Sequence, residues 1–467
     1  MASEETQDWK RMFRISTNWR SGMCTVYDTV SLICDQMFTN SLFFPQGRCH
    51  ASILDGVSSS PLGDIYQSLT QQVRSSEQEQ GHMVPRITLA GKYTIISSPQ
   101  SSHSPSILVL SASGSKHVVH VTPIRTQHLV RVTALAVDQS SRTSANLHIA
   151  ACLSNGDIYV HELHSHPRKH YYAPPFKTPR TAPIIQVSYC HPVLVTLSES
   201  FTLSVYDLTH EGIQLVHVLT SFTSFPPSSL VLTMPESQTY KLILTYASPV
   251  YPAHWSVGVT EVILSNAALH APTSAFTSPT RRLSSLLLST RSTRAFDIPA
   301  GWIDETKLRI VREQWGRKVG SVAGTQTDGR WVVLAPAAQG EVRPPGGFTP
   351  TSLPLQLYRL SSPSLRAGAG AAPKLTFVRS LLGQTGPVSA LALADGRCVS
   401  LGVDGRVWVW DLENGWGTEV ASSTSASSWT ESGEEDPSAL RGMIAFDERR
   451  IISAGATGDV IVRDFDV

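Results

Sequence analysis

Four histidines between residues 161 and 170, in the string HELHSHPRKH, are the side chains best suited by type and spacing to metal chemistry. Imidazole is a common zinc ligand, and the spacing His-x-x-His-x-His beside Glu162 brings several donors together. His161, however, falls inside a short run, Ile158 to Leu163, that is typical of a β-strand, so its ring is expected to pack or form a hydrogen bond. The other histidines would follow in an exposed connection. We therefore predict no metal site and no cofactor.

Other catalytic chemistry is not visible in the sequence. A Gly-x-Ser-x-Gly nucleophile motif, a Walker phosphate loop and a dinucleotide-binding glycine pattern are absent. Gly368-Ala-Gly370 lies in a Pro/Ser-rich stretch, with no strand before it and no helix after it. The six cysteines contain no Cys-x-x-Cys pair, which argues against a disulfide framework and a zinc site. The sequence thus predicts a protein that is not an enzyme.

Charge and hydropathy narrow the partners and the compartment. Lys and Arg number 38 and Asp and Glu 37, so no overall field attracts nucleic acid or an anionic membrane. The sequence shows no secretory apolar region after Met1, no apolar run of membrane-spanning length and no Asn-x-Ser/Thr sequon. We expect an intracellular protein, in cytoplasm or nucleus, with no nucleic-acid and no membrane partner.

The elements that must position any site are short strands. The clearest repeat, Gly383 to Leu412, contains three alternating runs, with Asp404-Gly405 as the tight turn before the third. Similar runs recur about every 50 residues, apart from one gap near 95, which is close to the blade period of propellers. They are Ser106 to Ala112, Ile158 to Leu163, Leu203 to Leu208, Thr260 to Leu264, Leu355 to Leu360, Val407 to Leu412 and Val460 to Phe465. We therefore predict an all-β, seven-bladed propeller.

The clearest repeat resembles the WD-repeat family. Ser400, Asp404 and Trp410 stand where that family has the Ser/Thr, Asp and Trp of a structural hydrogen-bond network, while Gln384 replaces its histidine. In an earlier repeat, His128 occupies the histidine position, four residues before a predicted strand. The resemblance covers roughly residues 86 to 467, and it implies a WD-repeat β-propeller that binds a protein partner on one face.

The first 22 residues differ from the rest of the chain. Trp9, Met12 and Phe13 fall on one face of a predicted short helix, in which acidic residues come first and basic residues later, as suits the helix dipole. Gly22 is a plausible stop for this helix. Taken by itself, the pattern indicates a short amphipathic cap packed on the propeller.

The same segment, DWKRMFRISTNWRSGMC, resembles the stretch that follows the F-box in F-box/WD-repeat proteins. Three further stretches are similar to fungal members of that group: residues 188–208, 249–262 and 441–452. The residues that carry the N-terminal match are Trp9, Lys10, Asn18, Trp19, Arg20 and Gly22, together with Asp8.

The resemblance implies the substrate receptor of a Skp–cullin–F-box ubiquitin ligase, with the substrate on the propeller face. Met1 lies eight residues before Trp9, which leaves no room for an F-box, so binding of the Skp adaptor is expected only if an F-box exists upstream. The alternative is a general WD-repeat scaffold in an intracellular assembly, with no ubiquitin link. Specificity resides in loop side chains, so the sequence names neither the substrate nor its contact residues.

Three parts are expected along the chain: a helical remnant at 1–22, a linker with a possible closing strand at 23–85, and the propeller at 86–467. The strand is needed because the chain ends directly after a blade's third strand, which would otherwise leave an open edge. Inserts are expected at 265–300 and 421–437, the first as a long surface loop rich in Ser, Thr, Pro and Arg. Ser278-Pro279 and Arg281 to Ser284 in that loop look like kinase sites, although an unmodified loop is favoured.

A basic zone with interleaved tryptophans follows the first insert. Trp302 and Trp315 are the side chains there that could stack on nucleic-acid bases. The basic residues are Arg281, Arg282, Arg291, Arg294, Arg309, Arg312, Arg317 and Lys318. Because the whole chain is nearly neutral, we favour the interpretation that Trp315-Gly316-Arg317 begins a blade and that the tryptophan packs between sheets.

Overall fold

The alternating runs form strands because apolar residues at every second position can be buried together on one face of a sheet. In the computed structural model they build seven antiparallel sheets of four strands each. The structure describes residues 2–28, 84–112, 114–123, 128–140, 147–163, 169–173, 182–208, 212–221, 223–236, 239–265, 287–298, 301–337, 354–362, 372–384, 386–420, 442–455 and 460–466.

The chain begins with helix α1 (Ala2–Ser21) and strand β1 (Thr25–Asp28), and three blades follow. Blade 1 comprises β2 (Ile87–Ala90), β3 (Tyr93–Ser97), β4 (Ser106–Ser111) and β5 (Lys116–His120). Blade 2 comprises β6 (Val132–Val137), β7 (Leu147–Leu153), β8 (Ile158–Leu163) and β9 (Lys169–Ala173). Blade 3 comprises β10 (Ile184–Cys190), β11 (Val193–Ser198), β12 (Thr202–Asp207) and β13 (Gln214–Thr220).

Blades 4 and 5 are separated by a second helix, α2 (Glu305–Gly316). Blade 4 comprises β14 (Phe225–Glu236), β15 (Thr239–Val250), β16 (His254–Ser265) and β17 (Leu287–Arg294). Blade 5 comprises β18 (Val322–Thr327), β19 (Trp331–Pro336), β20 (Leu355–Ser361) and β21 (Lys374–Leu381).

Blade 6 comprises β22 (Val388–Ala394), β23 (Arg397–Gly402), β24 (Val407–Asp411) and β25 (Gly417–Val420). Blade 7 takes β26 (Met443–Phe446), β27 (Arg450–Ala454) and β28 (Val460–Asp464) from the end of the chain and β1 from its beginning. β1 runs antiparallel to β28, with Thr25 opposite Asp464 and Asp28 opposite Ile461. This strand lies within the 23–85 segment from which a closing strand is expected, and it covers the edge of β28.

The blades form a closed ring. The first strands of successive blades contact one another in order, and β26 of blade 7 also contacts β2 of blade 1. Each of seven buried apolar clusters lies between two neighbouring blades. One of these clusters unites Ile96 and Leu108 of blade 1 with Ile452 and Val462 of blade 7, and so joins the two ends of the ring. The predicted fold class, a seven-bladed β-propeller, is thereby confirmed.

The prediction of a surface loop across 265–300 is wrong at its end, because Leu287–Arg294 is the fourth strand of blade 4. This strand pairs its backbone with β16, and its side chains alternate between half-buried and exposed. An outermost strand needs little apolar surface, so a Ser/Thr/Arg-rich sequence does not prevent it from forming. Residues 266–286, with the candidate kinase sites at Ser278 and Arg281 to Ser284, and the 421–437 insert lie outside the described residues.

The interpretation of Trp315 as a residue packed between sheets is also wrong, because Trp315 lies near the end of α2 and is 39% exposed. Asp304 is the N-cap of this helix, and its side chain accepts a hydrogen bond from the Lys307 backbone N–H at 2.8 Å. The strong helix formers between Glu305 and Trp315 then extend it to Gly316.

The two helices among the described residues lie on opposite faces of the ring. Because neighbouring strands are antiparallel, the first-to-second turns of all blades share one face, here called the lower face. The second-to-third turns and the connections between blades share the other, the upper face. Trp19 of α1 contacts Glu448 in the β26–β27 turn, so α1 lies on the lower face. α2 connects blades 4 and 5 and therefore belongs to the upper face.

Candidate protein-interaction surfaces

The hydrogen-bond network expected in blade 6 is present in part. Ser400 is buried on β23, and its hydroxyl donates to the side-chain oxygen of Gln384. Trp410 on β24 is 1% exposed, and its indole Nε1 donates to the carbonyl oxygen of Leu382 at 3.2 Å. The structure thus brings Ser400 and Gln384 together, while Trp410 contacts the backbone two residues before Gln384.

Asp404, the fourth expected member, is exposed and holds its own turn. Its Oδ1 accepts from the Arg406 backbone N–H at 3.1 Å, and its Oδ2 lies 3.4 Å from Arg406 Nε. Its carboxylate also covers Gly402, where an added Cβ would clash with it. A side chain at position 402 would therefore displace the carboxylate from this turn.

Blade 2 does not reproduce the network. His128 is exposed on the upper face before β6. Asn155, at the position of the aspartate, donates from Nδ2 to the Asp157 carboxylate at 2.8 Å. His161, at the tryptophan position, is buried, and its ring stacks against Tyr159 with the centroids 6.3 Å apart.

Trp19 anchors α1 to the lower face. Its side chain is 1% exposed and belongs to the apolar cluster between blades 6 and 7. The indole stacks on Phe465 with the ring centroids 4.1 Å apart, and its Nε1 donates to the Glu448 carbonyl oxygen at 3.0 Å. On blade 6, the Arg397 guanidinium lies 4.9 Å from the ring centroid. This one side chain therefore joins α1 to two blades.

Polar contacts next to Trp19 fix the axis of the helix. Asn18 is buried, and its Nδ2 donates to the Phe465 carbonyl oxygen at 2.9 Å. One turn and two turns earlier, Arg14 and Arg11 both pair with the Asp466 carboxylate, Arg14 at 3.0 Å. The hydrogen bond from Arg11, opposed in part by burial, holds the pKa of Asp466 below its ordinary value. No signal in the sequence indicated this pairing, since 455 residues separate Arg11 from Asp466.

The remaining residues of the F-box-following segment contribute differently. Gly22 has a φ of +69°, and an added Cβ would clash with the Glu419 carbonyl oxygen on blade 6. Arg20 is exposed and lines a cleft of about 210 Å³ beside Trp19, together with Arg397 and Asp411 of blade 6. Trp9 and Lys10 lie in α1, but their side chains are outside the described residues.

The upper face carries a projecting surface at blade 4. The hairpin of β15 and β16 reaches the segment that follows α2, where Trp255 and Val319 exchange backbone hydrogen bonds of 2.7 and 2.9 Å. Trp315 of α2 lies between Phe296, 5.8 Å away between centroids, and the Lys318 ammonium, 3.9 Å from the ring centroid. The signal for this helix was present in the sequence, because Asp304 precedes eleven residues without Gly or Pro.

A cluster of charged side chains lies where blades 2 and 3 meet, and its members contact one another. His148 Nδ1 lies 3.2 Å from the Asp138 carboxylate, and its Nε2 lies 3.5 Å from Glu162. The hydrogen bond with Asp138 raises the pKa of His148, and burial opposes the rise. Burial alone would raise the pKa of Asp138, but hydrogen bonds from His148 and from the backbone of His191 and Ser140 lower it to about 2.

Two further observations concern the described residues alone. Within those ranges, no group of three or more His, Cys, Asp or Glu side chains is placed to hold a metal ion. Neither α1 nor α2 combines the length and the hydropathy needed to cross a membrane. Of the histidines that first drew attention, His164 and His166 lie outside the described residues, and His170 is described only as part of β9.

Comparison with protein families shows that part of the chain matches the family model described as F-box protein pof12 beta-propeller. It covers residues 101–299, which extend from blade 1 through the last strand of blade 4. Among curated proteins, none matches the chain.

Solved propellers resemble the chain at low identity. The β-propeller domain of Cps50 (Swd1) from Myceliophteria thermophila is 11% identical, with a TM-score of 0.43 over 83% of this chain and 97% of that chain. The WD40 β-propeller domain of Doa1 is 12% identical, with a TM-score of 0.40 over 83% of this chain and 94% of that chain. BamB from Moraxella catarrhalis is 9% identical, with a TM-score of 0.39 over 81% and 96%.

Proposed function

We propose that this propeller is a protein-interaction platform, and that it is the substrate-recognition part of a Skp–cullin–F-box ubiquitin ligase receptor. The observation that carries the proposal is the burial of Trp19 between blades 6 and 7. Trp19 belongs to the segment that resembles the stretch following an F-box, and the family model matched by residues 101–299 is that of an F-box protein propeller.

The geometry suits a receptor that positions its substrate. Trp19, Asn18 and the two arginine contacts to Asp466 hold the direction of α1 relative to the ring. An adaptor-binding domain joined to the start of α1 would then keep one orientation on the lower face. The upper face would stay free for a protein substrate. Catalysis would belong to the ligase partners, and this chain would contribute orientation and proximity alone.

The first test identifies the proteins that surround the full-length gene product in the cell. Proximity labelling on the full-length gene product in its own cells should mark a Skp adaptor and a cullin, and proteins labelled beside them should accumulate when the gene is deleted. Reading the genomic sequence upstream of Met1 for a Leu-Pro-led helical segment is the inexpensive companion. Labelling of an assembly without any ubiquitin-ligase subunit would overturn the receptor assignment and favour the general scaffold.

The second test addresses positioning. Replacing Arg11 and Arg14 with alanine removes both contacts to Asp466 and leaves Trp19 in place. Adaptor capture should be unchanged, while ubiquitination of a co-purifying substrate should slow, because α1 is held less firmly. Met12→Ala, at an exposed position of the same helix, is the matched control. Equal substrate ubiquitination by all three proteins would contradict the positioning role.

A further inference from the structure

The surface around α2 is unusually apolar. No residue of this helix is buried, and Trp302, just before it, is 86% exposed. Exposed apolar side chains concentrated in one place usually mark an interaction site. Six of them, here called the α2 patch, are Ile298, Trp302, Ile303, Leu308, Ile310 and Trp315.

Hydrogen bonds hold the segment that carries the α2 patch in place. Asp304 caps the helix, and Lys307 Nζ donates to the Trp302 carbonyl oxygen at 3.0 Å. The Asp297 backbone N–H donates to the Gln314 side chain at 3.2 Å, which ties the preceding segment to the helix. Behind the helix, Val319 pairs with Trp255 of the blade 4 hairpin. The backbone that carries these apolar groups is therefore preorganised, which lowers the entropy cost of binding.

Charge around the α2 patch favours an acidic ligand. Residues 287–319 contain seven basic and four acidic side chains, a surplus of three, whereas the whole chain has a net charge of +1. One of the four carboxylates, Asp304, is committed to the helix N-terminus. Arg309 and Arg312 are both exposed between the apolar positions of α2. A ligand that covers the α2 helix would therefore meet the positive charges of Arg309 and Arg312 beside its apolar contacts.

The composition of the α2 patch favours protein over nucleic acid. Four of its six members are aliphatic, and aliphatic side chains cannot stack on bases as aromatic rings do. The Lys318 ammonium already covers a face of Trp315, at 3.9 Å from the ring centroid. A surplus of three charges is also small for a surface that must neutralise a phosphate backbone.

We propose that the α2 patch docks an acidic amphipathic segment of a partner protein. Apolar anchors of that segment would lie between Trp302 and Leu308, and its carboxylates would face Arg309 and Arg312. Such a segment would bind in the manner of a helix in a groove or an extended peptide with alternate anchors. The proposal goes beyond a ubiquitin-ligase role, since it specifies the chemistry of one partner at one surface and needs no adaptor.

The experiment measures fluorescence anisotropy of labelled peptides against the purified full chain. The probe is a peptide of about 20 residues with Leu and Phe at helical i, i+4 and i+7 spacing and Asp or Glu between them. One comparison peptide keeps the anchors and replaces every acid with Lys, and another keeps the acids and replaces every anchor with Ala. We expect saturable binding of the acidic anchored peptide alone, weakened by added salt.

Variants locate the binding. Trp302→Ala/Leu308→Ala should weaken binding about tenfold or more, because central aromatic and aliphatic anchors carry most of the energy of small interfaces. Arg309→Glu/Arg312→Glu should weaken it to a similar degree and remove its salt dependence. Since all four side chains are exposed, the melting temperature should not change. Leu129→Ala is the matched control, at an exposed leucine in the upper-face connection between blades 1 and 2.

Four results of the binding assay would overturn the proposal. They are equal binding of the lysine peptide, binding of the acidic anchored peptide that the α2 variants do not change, no binding at all, and tighter binding of a single-stranded oligonucleotide that the same variants abolish. Self-association of the chain in sedimentation experiments, removed by Trp302→Ala/Leu308→Ala, would identify a second copy as the occupant instead. None of these measurements involves an adaptor or a cullin, so their outcome is independent of the ligase assignment.

Discussion

Helices α1 and α2 use tryptophan in opposite ways. α1 places Trp19 in the core, stacked on Phe465 and 1% exposed. The α2 segment places Trp302 in solvent, 86% exposed, and buries no residue of its helix. Because burial of apolar surface is the main source of helix stability in proteins, α1 behaves as part of the blade 6–7 core. By contrast, α2 behaves as a surface feature of the connection between blades 4 and 5.

This difference shows which helix stabilises the fold through its contacts and which helix leaves its apolar surface available to a partner. Asn18 and Trp19 of α1 make their contacts within the chain, so substitutions there should change the stability of the fold. Trp302 and Leu308 of the α2 patch are exposed, so substitutions there should change binding and leave the fold intact. Four experiments, ordered from the largest expected effect to the smallest, test this contrast.

Trp19→Ala should lower the free energy of unfolding by about 3–5 kcal/mol, because it empties a well-packed site between two blades. Trp302→Ala, the same change in the α2 patch, should stay within about 0.5 kcal/mol of the parent. Urea unfolding followed by far-ultraviolet circular dichroism measures both. Similar losses for the two variants would break the contrast.

Gly22→Ala should lower the free energy of unfolding by about 2 kcal/mol, because the residue has a φ of +69° and an added Cβ meets the Glu419 carbonyl oxygen. Gly316→Ala at the end of α2, where a Cβ would meet nothing within 4 Å, should instead add about 0.5 kcal/mol, since alanine is the better helix former. Both are read from urea midpoints. A loss of stability in the second variant would show that α2 packs more closely than the structure indicates.

Asp466→Asn should cost about 0.5–1 kcal/mol at neutral pH, a modest value because Arg11 and Arg14 are half-exposed and solvent screens the pair. The pKa of Asp466 is lower in the folded state, chiefly through its hydrogen bond with Arg11. Its contribution is therefore present above the unfolded pKa and is lost as the pH falls through the folded pKa. Unfolding curves of parent and variant at a series of acidic pH values should converge. A constant difference would contradict this assignment.

Asp304→Ala should change global stability by less than about 0.5 kcal/mol, because α2 buries no residue. Locally, loss of the N-cap should open the first turn and speed amide exchange at Lys307 about fivefold, equivalent to about 1 kcal/mol. Hydrogen exchange followed by mass spectrometry checks this, with Thr306→Ala in the same turn as the control. A global loss as large as that of Trp19→Ala would mean that α2 belongs to the folding core.

Much of the ring was predictable from the strands. The runs at 106–112, 158–163, 203–208, 355–360, 407–412 and 460–465 agree within a residue or two with third strands of blades, because alternation and turn residues are local properties. The run at 260–264 is the end of a longer strand, His254–Ser265. The Ser/Thr/Arg-rich strand Leu287–Arg294 was missed, since its stability comes from pairing with β16, which composition does not reveal.

The candidate sites were less predictable for a related reason. The resemblance to F-box/WD-repeat proteins singled out Asn18, Trp19 and Gly22, yet it did not indicate that Phe465 and Asp466 receive them. Trp315 was expected to pack between sheets because a local motif resembled a repeat start. Its helix, capped by Asp304, shows that the connection between blades 4 and 5 has its own structure.

By itself, the sequence determined the class of fold and the number of blades, because both follow from strand periodicity and the spacing of turns along one chain. Tertiary structure alone decided which residues of the 23–85 segment close blade 7, that Asp466 receives Arg11 and Arg14, and that α2 projects its apolar residues from the upper face. The physical reason is distance along the chain. Contacts between residues hundreds of positions apart depend on how the ring closes. The buried fraction of a side chain is likewise set only when its neighbours are in place.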